Sequence, residues 1–326
     1  MNLSSVARMP QSAPRITLAN IERAATVIDP VFLRTPQFIC EPLAAALGVR
    51  VALKVETLNP IRSFKGRGAD FLVARAAADV PLVTASAGNF GQAMAYACRK
   101  RRLALTVYAS VNANPFKVQR MRDLGARVVL HGQDFDDAKA EARRFAEGSG
   151  ARLIEDGRDI ATAEGAGTIG LEWLTFGERL DALLVPLGNG ALFNGVARVV
   201  KARSPQTRTI AVQAAAAPAM VESWRAGRAV ECDSSGTIAD GVAVRVPIDV
   251  ALRDMDGLVD DAILVSEEAI LEAMRLVHRH AGVVTEPSGV LGIAALIEHR
   301  GAFRDAVAGT ILCGGNLTAE QMKMWL

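Results

Sequence analysis

Val51-Ala52-Leu53-Lys54-Val55, then Ser63-Phe64-Lys65-Gly66-Arg67-Gly68, then Ala69-Asp70-Phe71-Leu72-Val73-Ala74: a strand-like run, a glycine-punctuated turn and a helix-like run follow one another. Lys65 stands at the junction between an aromatic residue and a glycine, where a lysine is held in a pocket instead of moving freely in solvent. Turns of similar character recur at Ser86-Ala87-Gly88-Asn89-Phe90-Gly91-Gln92, at Pro186-Leu187-Gly188-Asn189-Gly190-Ala191 and at Leu312-Cys313-Gly314-Gly315-Asn316. A reactive amine together with several turns that expose backbone N–H groups points to a bound, phosphorylated, aldehyde-bearing cofactor.

Working outward, short apolar runs alternate with amphipathic stretches, the pattern of a parallel α/β protein. Strands are expected at 82–84, 105–108, 127–130 and 152–154, with helices at 90–101, 116–124 and 135–147 between them. Gly125 after Leu124 is a typical helix stop. These pieces define a compact unit at about 71–151. Further strands are expected at 182–186, 209–212 and 308–312, and further helices at 168–176, 192–201, 267–280 and 288–299. The expected arrangement is a large lobe of residues 1–70 plus 152–326, with 71–151 as a small mobile lobe on the substrate side. The fold class is α/β, with two open, twisted, mostly parallel sheets flanked by helices.

Composition narrows the function. The 326 residues carry 37 Lys and Arg against 35 Asp and Glu, a net charge of +2 with no basic block. A nucleic-acid surface is therefore not expected. The four cysteines, Cys40, Cys98, Cys232 and Cys313, have no C-x-x-C spacing, and with four histidines they make no zinc pattern. Free thiols fit a reducing cytosol. Met1 to Arg15 carries Pro10 and Pro14 without an apolar core, so it reads as a loose tail and not a signal peptide. No apolar run approaches the ~20 residues that span a bilayer. A soluble, cytoplasmic protein acting on a small molecule is expected.

The order of motifs resembles the fold type II pyridoxal-phosphate enzymes, and within them the serine/threonine dehydratase (ammonia-lyase) and serine racemase group. The resemblance runs from about Ile21 to the C-terminus. It rests on Ser63-Phe64-Lys65-x-Arg67-Gly68, Ser86-Ala87-Gly88-Asn89, Gly165-x-Gly167-Thr168, Thr237-Ile238-Ala239-Asp240-Gly241, Glu286-Pro287 and Cys313-Gly314-Gly315-Asn316. Each is weak alone; six in family order are specific. The chain ends ten residues after Asn316, so the appended regulatory domain of biosynthetic threonine deaminases, and feedback control through it, are not expected.

The resemblance implies pyridoxal 5'-phosphate as cofactor, an amino acid as substrate and a homodimer. Lys65, read alone as a surface lysine, would form the internal Schiff base and then remove the substrate α-proton. Phe64, otherwise a core residue, would pack beside the cofactor ring. Gly188, Asn189, Gly190 and Ala191 would bind the phosphate at the start of a helix. The rival reading of these glycines, together with Gly195, is a dinucleotide fingerprint. That fold wants an acidic residue at the end of the next strand, where this chain has Gln213. Relatives often have four glycines in the phosphate loop, and this chain has Asn and Ala at two of those places.

Asn89, on its own an N-cap for the next helix, would meet the cofactor's phenolic oxygen. Ser86, Gly88 and Asn89 would bind the substrate carboxylate. Phe90 replaces a histidine common in the group, which makes the pocket mouth more apolar. Cys313, otherwise a small buried apolar residue, would face the pyridine nitrogen. Gly241 and Glu286 would line the cofactor, although a turn glycine and a surface carboxylate are equally simple readings. Ala87 replaces the serine that works on the second face in racemases, and Gln213 stands where those enzymes have a metal-binding carboxylate. Both departures argue against racemase activity, and the second against a need for divalent metal; the expected reaction is β-elimination from a β-hydroxy-α-amino acid, releasing a 2-oxo acid and ammonia. The cofactor phosphate would assist departure of the hydroxyl. A β-replacement or threonine synthase-like enzyme is the alternative, a racemase a more distant one, and a nucleotide-binding scaffold the alternative outside catalysis.

Overall fold

The structure, a computed structural model, describes residues 13–232 and 236–326, and residues 1–12 of the expected N-terminal tail lie outside the described residues. The strands are β1 (Gln37–Ile39), β2 (Arg50–Val55), β3 (Leu82–Ala85), β4 (Leu105–Ala109), β5 (Arg127–Leu130), β6 (Arg152–Ile154), β7 (Ala182–Pro186), β8 (Arg208–Ala214), β9 (Asp261–Val265) and β10 (Val307–Leu312). They form a six-stranded sheet in the order β1-β2-β10-β7-β8-β9 and a four-stranded sheet in the order β5-β4-β3-β6. Among these strands only β1 and β2 run antiparallel; every other neighbouring pair is parallel.

The helices α1 (Leu18–Val27), α2 (Glu41–Leu47), α3 (Lys65–Ala74), α4 (Asn89–Arg101), α5 (Pro115–Asp123), α6 (Phe135–Ser149) and α7 (Ile160–Trp173) occupy the first half of the chain. The second half holds α8 (Ala191–Arg203), α9 (Ala219–Ala226), α10 (Asp249–Arg253), α11 (Glu267–Ala281), α12 (Leu291–Glu298) and α13 (Ala319–Trp325). The central strands β7 and β10 are almost wholly buried, because helices cover both faces of the larger sheet. Val51, Leu53, Val55 and Leu184 pack towards α11 and α12 on one face. Leu183, Val185 and Ile311 pack towards α7 and α8 on the other. In the smaller sheet Val107 packs with α3 and α4, and Val83 and Tyr108 pack with α6.

The expected elements are present with shifted ends, and three differences have clear physical causes. β6 pairs with β3, so the four-stranded unit extends past residue 151 to at least Ile154. The helix expected at 168–176 begins at Ile160, because Gly165 and Gly167 inside it serve close helix packing instead of marking a break: a Cβ on Gly165 would lie 2.6 Å from the Gly68 Cα of α3. The stretch 288–299 starts as a short 3₁₀ turn (Pro287–Val290) and becomes regular helix only at Leu291. β1 and β9, which the apolar pattern does not announce, lie at the sheet edges, where β9 is only partly buried.

α3 starts at Lys65 itself, and a buried ion network fixes that start. Arg67 is fully buried and donates to Glu56 Oε2 (2.9 Å) and Oε1 (2.8 Å), and to Glu172 Oε1 (2.6 Å) and Oε2 (3.0 Å). It also donates to Thr168 Oγ1 (3.0 Å) and Thr35 Oγ1 (3.1 Å), and Lys54 donates to Glu172 Oε2 (2.6 Å). Two cations face two carboxylates. Burial pulls the Arg67 guanidinium down, but the charge of Glu56 and the bonds to Glu172 outweigh it, so its pKa is raised. Arg67→Met would leave two carboxylates with Lys54 alone and should cost about 3–5 kcal/mol of folding free energy. Denaturant unfolding measures this; a loss below about 1 kcal/mol would show that the network is not what holds α3 in place.

Candidate active site

Lys65 Nζ lies 2.5 Å from Asp156 Oδ2 and 4.7 Å from the Phe64 ring centroid. Its side chain is 17% exposed and that of Asp156 is 12% exposed, so the amine is held in a recess and not presented to bulk water. Phe64, Phe90 and Ala191 line the same recess. The sequence pattern did not single out Asp156. Its only signal is an acidic residue beside a glycine just after β6, a common loop composition.

Ala191, which lines the recess with Lys65, starts α8, and the turn before it forms a cradle of backbone N–H groups. Gly190 has φ +90°, a left-handed conformation that glycine adopts without penalty, and it caps α8. Among the described residues, the backbone N–H groups of 188–193 find no acceptor; the first N–H of this region with a partner is that of Asn194, which donates to Gly190 O (2.8 Å). Free N–H groups at a positive helix end suit a dianion. Gly241 closes the cradle from the side: its N–H donates to Ser288 Oγ (2.9 Å), and its carbonyl would lie 2.9 Å from a Cβ on Gly188.

The turn 86–89 of the four-stranded unit leads into α4, whose Phe90 lines the recess together with Ala191. Ser86 Oγ accepts from the N–H of Gly88 (3.3 Å) and Gly91 (2.9 Å), which leaves its own hydrogen to donate. Asn89 is not the N-cap that its position implied. Gly88 caps α4, and the Asn89 amide donates instead to Glu286 Oε1 (2.6 Å) while accepting from Asn316 Nδ2 (2.8 Å). Asn316 N–H donates in turn to Glu286 Oε2 (3.2 Å). Glu286 is therefore a buried, bonded carboxylate and not a surface one. A Cβ on Gly314 would lie 2.1 Å from Glu286 Oε1, so the glycine is what leaves that carboxylate room.

Cys313 is buried and donates to Ser288 O (3.4 Å). Burial, reinforced by the Glu286 charge, pushes its thiol far up, so it is neutral at pH 7. Gln213 is fully buried with Oε1 accepting from Val221 N–H (3.0 Å), which makes it a cap for α9. Lys117, a second residue not singled out, crosses from α5 to Asp240 Oδ2 (2.5 Å), and Arg245 pairs with Asp136 (2.6 Å). Both pairs bridge the two units over a cavity of about 290 Å³ whose walls include Asp156, Asn189 and Gly241.

Comparison with known proteins agrees with this geometry. The sequence profile described as "Pyridoxal-phosphate dependent enzyme" matches residues 28–314. The chain belongs to this family. It is 34% identical over 310 residues to the L-threonine ammonia-lyase of Thermotoga maritima, covering 94% of this chain and 77% of that protein. The crystal structure of a T.th. threonine deaminase superposes with a TM-score of 0.88 at 34% identity, over 93% of this chain and 99% of that one. Maize serine racemase also gives 0.88, at 29% identity, over 94% and 95%. The fold is thus that of the type II pyridoxal-phosphate enzymes, and the cofactor is pyridoxal phosphate. The unpartnered N–H cradle, the buried amine in the recess and the neutral thiol fit it.

Glu286 makes a pH prediction. Burial, opposed by the Lys117 charge and assisted by that of Asp240, lifts its carboxyl from the ordinary 4.5 to about 7. A raised acid holds its proton more tightly when folded, so stability falls as pH rises from about 4.5 to about 7. Glu286→Gln lacks this titration. The parent should lose stability relative to the variant across that window and run parallel to it at higher pH. A constant difference from pH 4.5 upward would contradict the raised carboxyl.

Proposed function

We propose that this enzyme is a dehydratase that acts on a β-hydroxy-α-amino acid such as L-threonine or L-serine and releases a 2-oxo acid and ammonia. The observation that carries it is the one-sided site: Lys65 is the amine in the recess, and Ala87, which cannot exchange a proton, stands in the turn that leads to Phe90 of the same recess. Lys65 would hold the cofactor, Gly188 to Ala191 its phosphate, Cys313 the ring nitrogen and Asn89 the phenolic oxygen, with Phe64, Gly241 and Glu286 lining the ring. When bound, pyridoxal phosphate supplies an electron sink for the substrate α-carbon.

The chain's own groups do the rest. Ser86 Oγ–H, the Asn89 N–H and the Gly88 N–H, which would exchange its long bond to Ser86 Oγ (3.3 Å) for the substrate, bind the substrate carboxylate and so fix which α-bond faces Lys65. Lys65 Nζ, held beside Phe64, takes the α-proton. The cross-cleft pairs Lys117–Asp240 and Arg245–Asp136 hold the four-stranded unit over the site and exclude water. That unit, residues 71–151 together with β6, is the substrate-side lobe whose movement admits the amino acid. We further infer a cytoplasmic homodimer. The four cysteines form no disulfide, which supports a reducing compartment, and no helix among the described residues is long and apolar enough to cross a membrane.

The test is incubation of the purified protein with L-threonine and L-serine and no second substrate. Ammonia and 2-oxo acid should appear in equal amounts. Their absence unless a nucleophile is added would favour β-replacement. In the same serine reaction D-serine should stay below about a hundredth of the pyruvate, because a neutral methyl group at Ala87 supplies no proton. Comparable amounts of the two products would show that another group serves the second face.

A further inference from the structure

We propose that Asp156 selects the substrate side chain by charge: the site takes β-hydroxy amino acids whose side chains are neutral, hydrogen-bond-donating or cationic, and rejects acidic ones such as 3-hydroxyaspartate. This rests on the reading of Lys65 as the cofactor-bearing amine. Asp156 Oδ2 has Lys65 Nζ as its ion-pair partner, and Oδ1 is buried with no partner among the described residues. Once Lys65 engages the cofactor, its ammonium no longer serves Asp156. A mostly buried carboxylate is then left without a counter-charge beside the reacting amine, a costly state unless something positive or donating arrives.

Its position makes the substrate that arriving group. Asp156 lines both the recess that holds Lys65 and the 290 Å³ cleft, so it stands between the two. The turn is fixed against the cradle: a Cβ on Gly157 would lie 2.5 Å from Asn189 O. Among the described residues, no spare cation in the cleft wall can replace Lys65. Lys139 is paired with Glu155 (3.0 Å), Arg245 with Asp136 (2.6 Å) and Asp240 with Lys117 (2.5 Å), while Asp134 adds negative charge beside Asp156. An acidic side chain would meet net repulsion there.

Three four-carbon amino acids that lack a β-leaving group isolate this effect, because they bind without being consumed by elimination. They are L-2,4-diaminobutyrate, L-2-aminobutyrate and L-aspartate. Dissociation constants are read from the absorbance change of the loaded enzyme. The parent should bind diaminobutyrate at least ~10-fold more tightly than aspartate, and Asp156→Asn should shrink that ratio by a similar factor while moving aminobutyrate less than ~3-fold. Equal binding of diaminobutyrate and aspartate by the parent would overturn the proposal without any variant. A preference that survives in both Asp156→Asn and Asp156→Ser would overturn it too. If the charge ranking holds but no β-hydroxy amino acid releases a 2-oxo acid, the elimination reading fails while the role of Asp156 stands.

Discussion

The buried Arg67 guanidinium is the constraint on which the rest depends. It joins Glu56 after β2, Glu172 in α7, Thr168 in α7 and Thr35 near the N-terminal segment, and it lies two residues beyond Lys65. Two charges of each sign in a dry interior are tolerated only with near-ideal geometry, since loss of any partner strands a charge. That requirement fixes the start of α3 relative to the large sheet. It therefore fixes Lys65, which an isolated glycine-rich helix start would leave loose.

Around that anchor the site divides its electrostatics in two. The floor carries little charge: the Cys313 thiol keeps its proton, and burial raises the Glu286 carboxyl to about 7, so it is only partly ionised at neutral pH. The rim is charged, with the unpaired N–H groups before α8 on one side and the carboxylates about Asp156 on the other. If Cys313 meets the ring nitrogen as proposed, a neutral thiol there would supply no anion to hold a proton on it. Such a site would suit prompt loss of a β-substituent, and the methyl group of Ala87 adds no proton donor to the 86–89 turn.

Much of this was legible in the sequence, for definable reasons. Lys65, the 188–191 loop and the 86–89 turn announce themselves because glycines are needed at fixed backbone positions beside a strand end. The central strands were legible because burial on both faces makes them continuous apolar runs. β1 and β9 were not, since edge strands are short and partly solvated. The strand at 152–154 groups with the smaller unit in sequence, but the expected boundary at 151 falls just before it, because its pairing with β3 reaches across distant segments. Asp156 and Lys117 escaped for another reason: each acts through a partner 91 or 123 residues away, and nothing local records such a contact. The bond of Asn89 to Glu286 was hidden for the same reason, because Glu286 lies 197 residues on, and the simple N-cap alternative for Asn89 was local.

The central claim is that the Arg67 network presents Lys65, and no other lysine, as the amine that carries the cofactor. Borohydride reduction of the pyridoxal-phosphate-loaded protein, followed by peptide mapping, tests it most directly. The account predicts a single pyridoxyl group, on Lys65. A label on Lys54 or Lys117, the other buried lysines near the site, or on any other lysine, would contradict it.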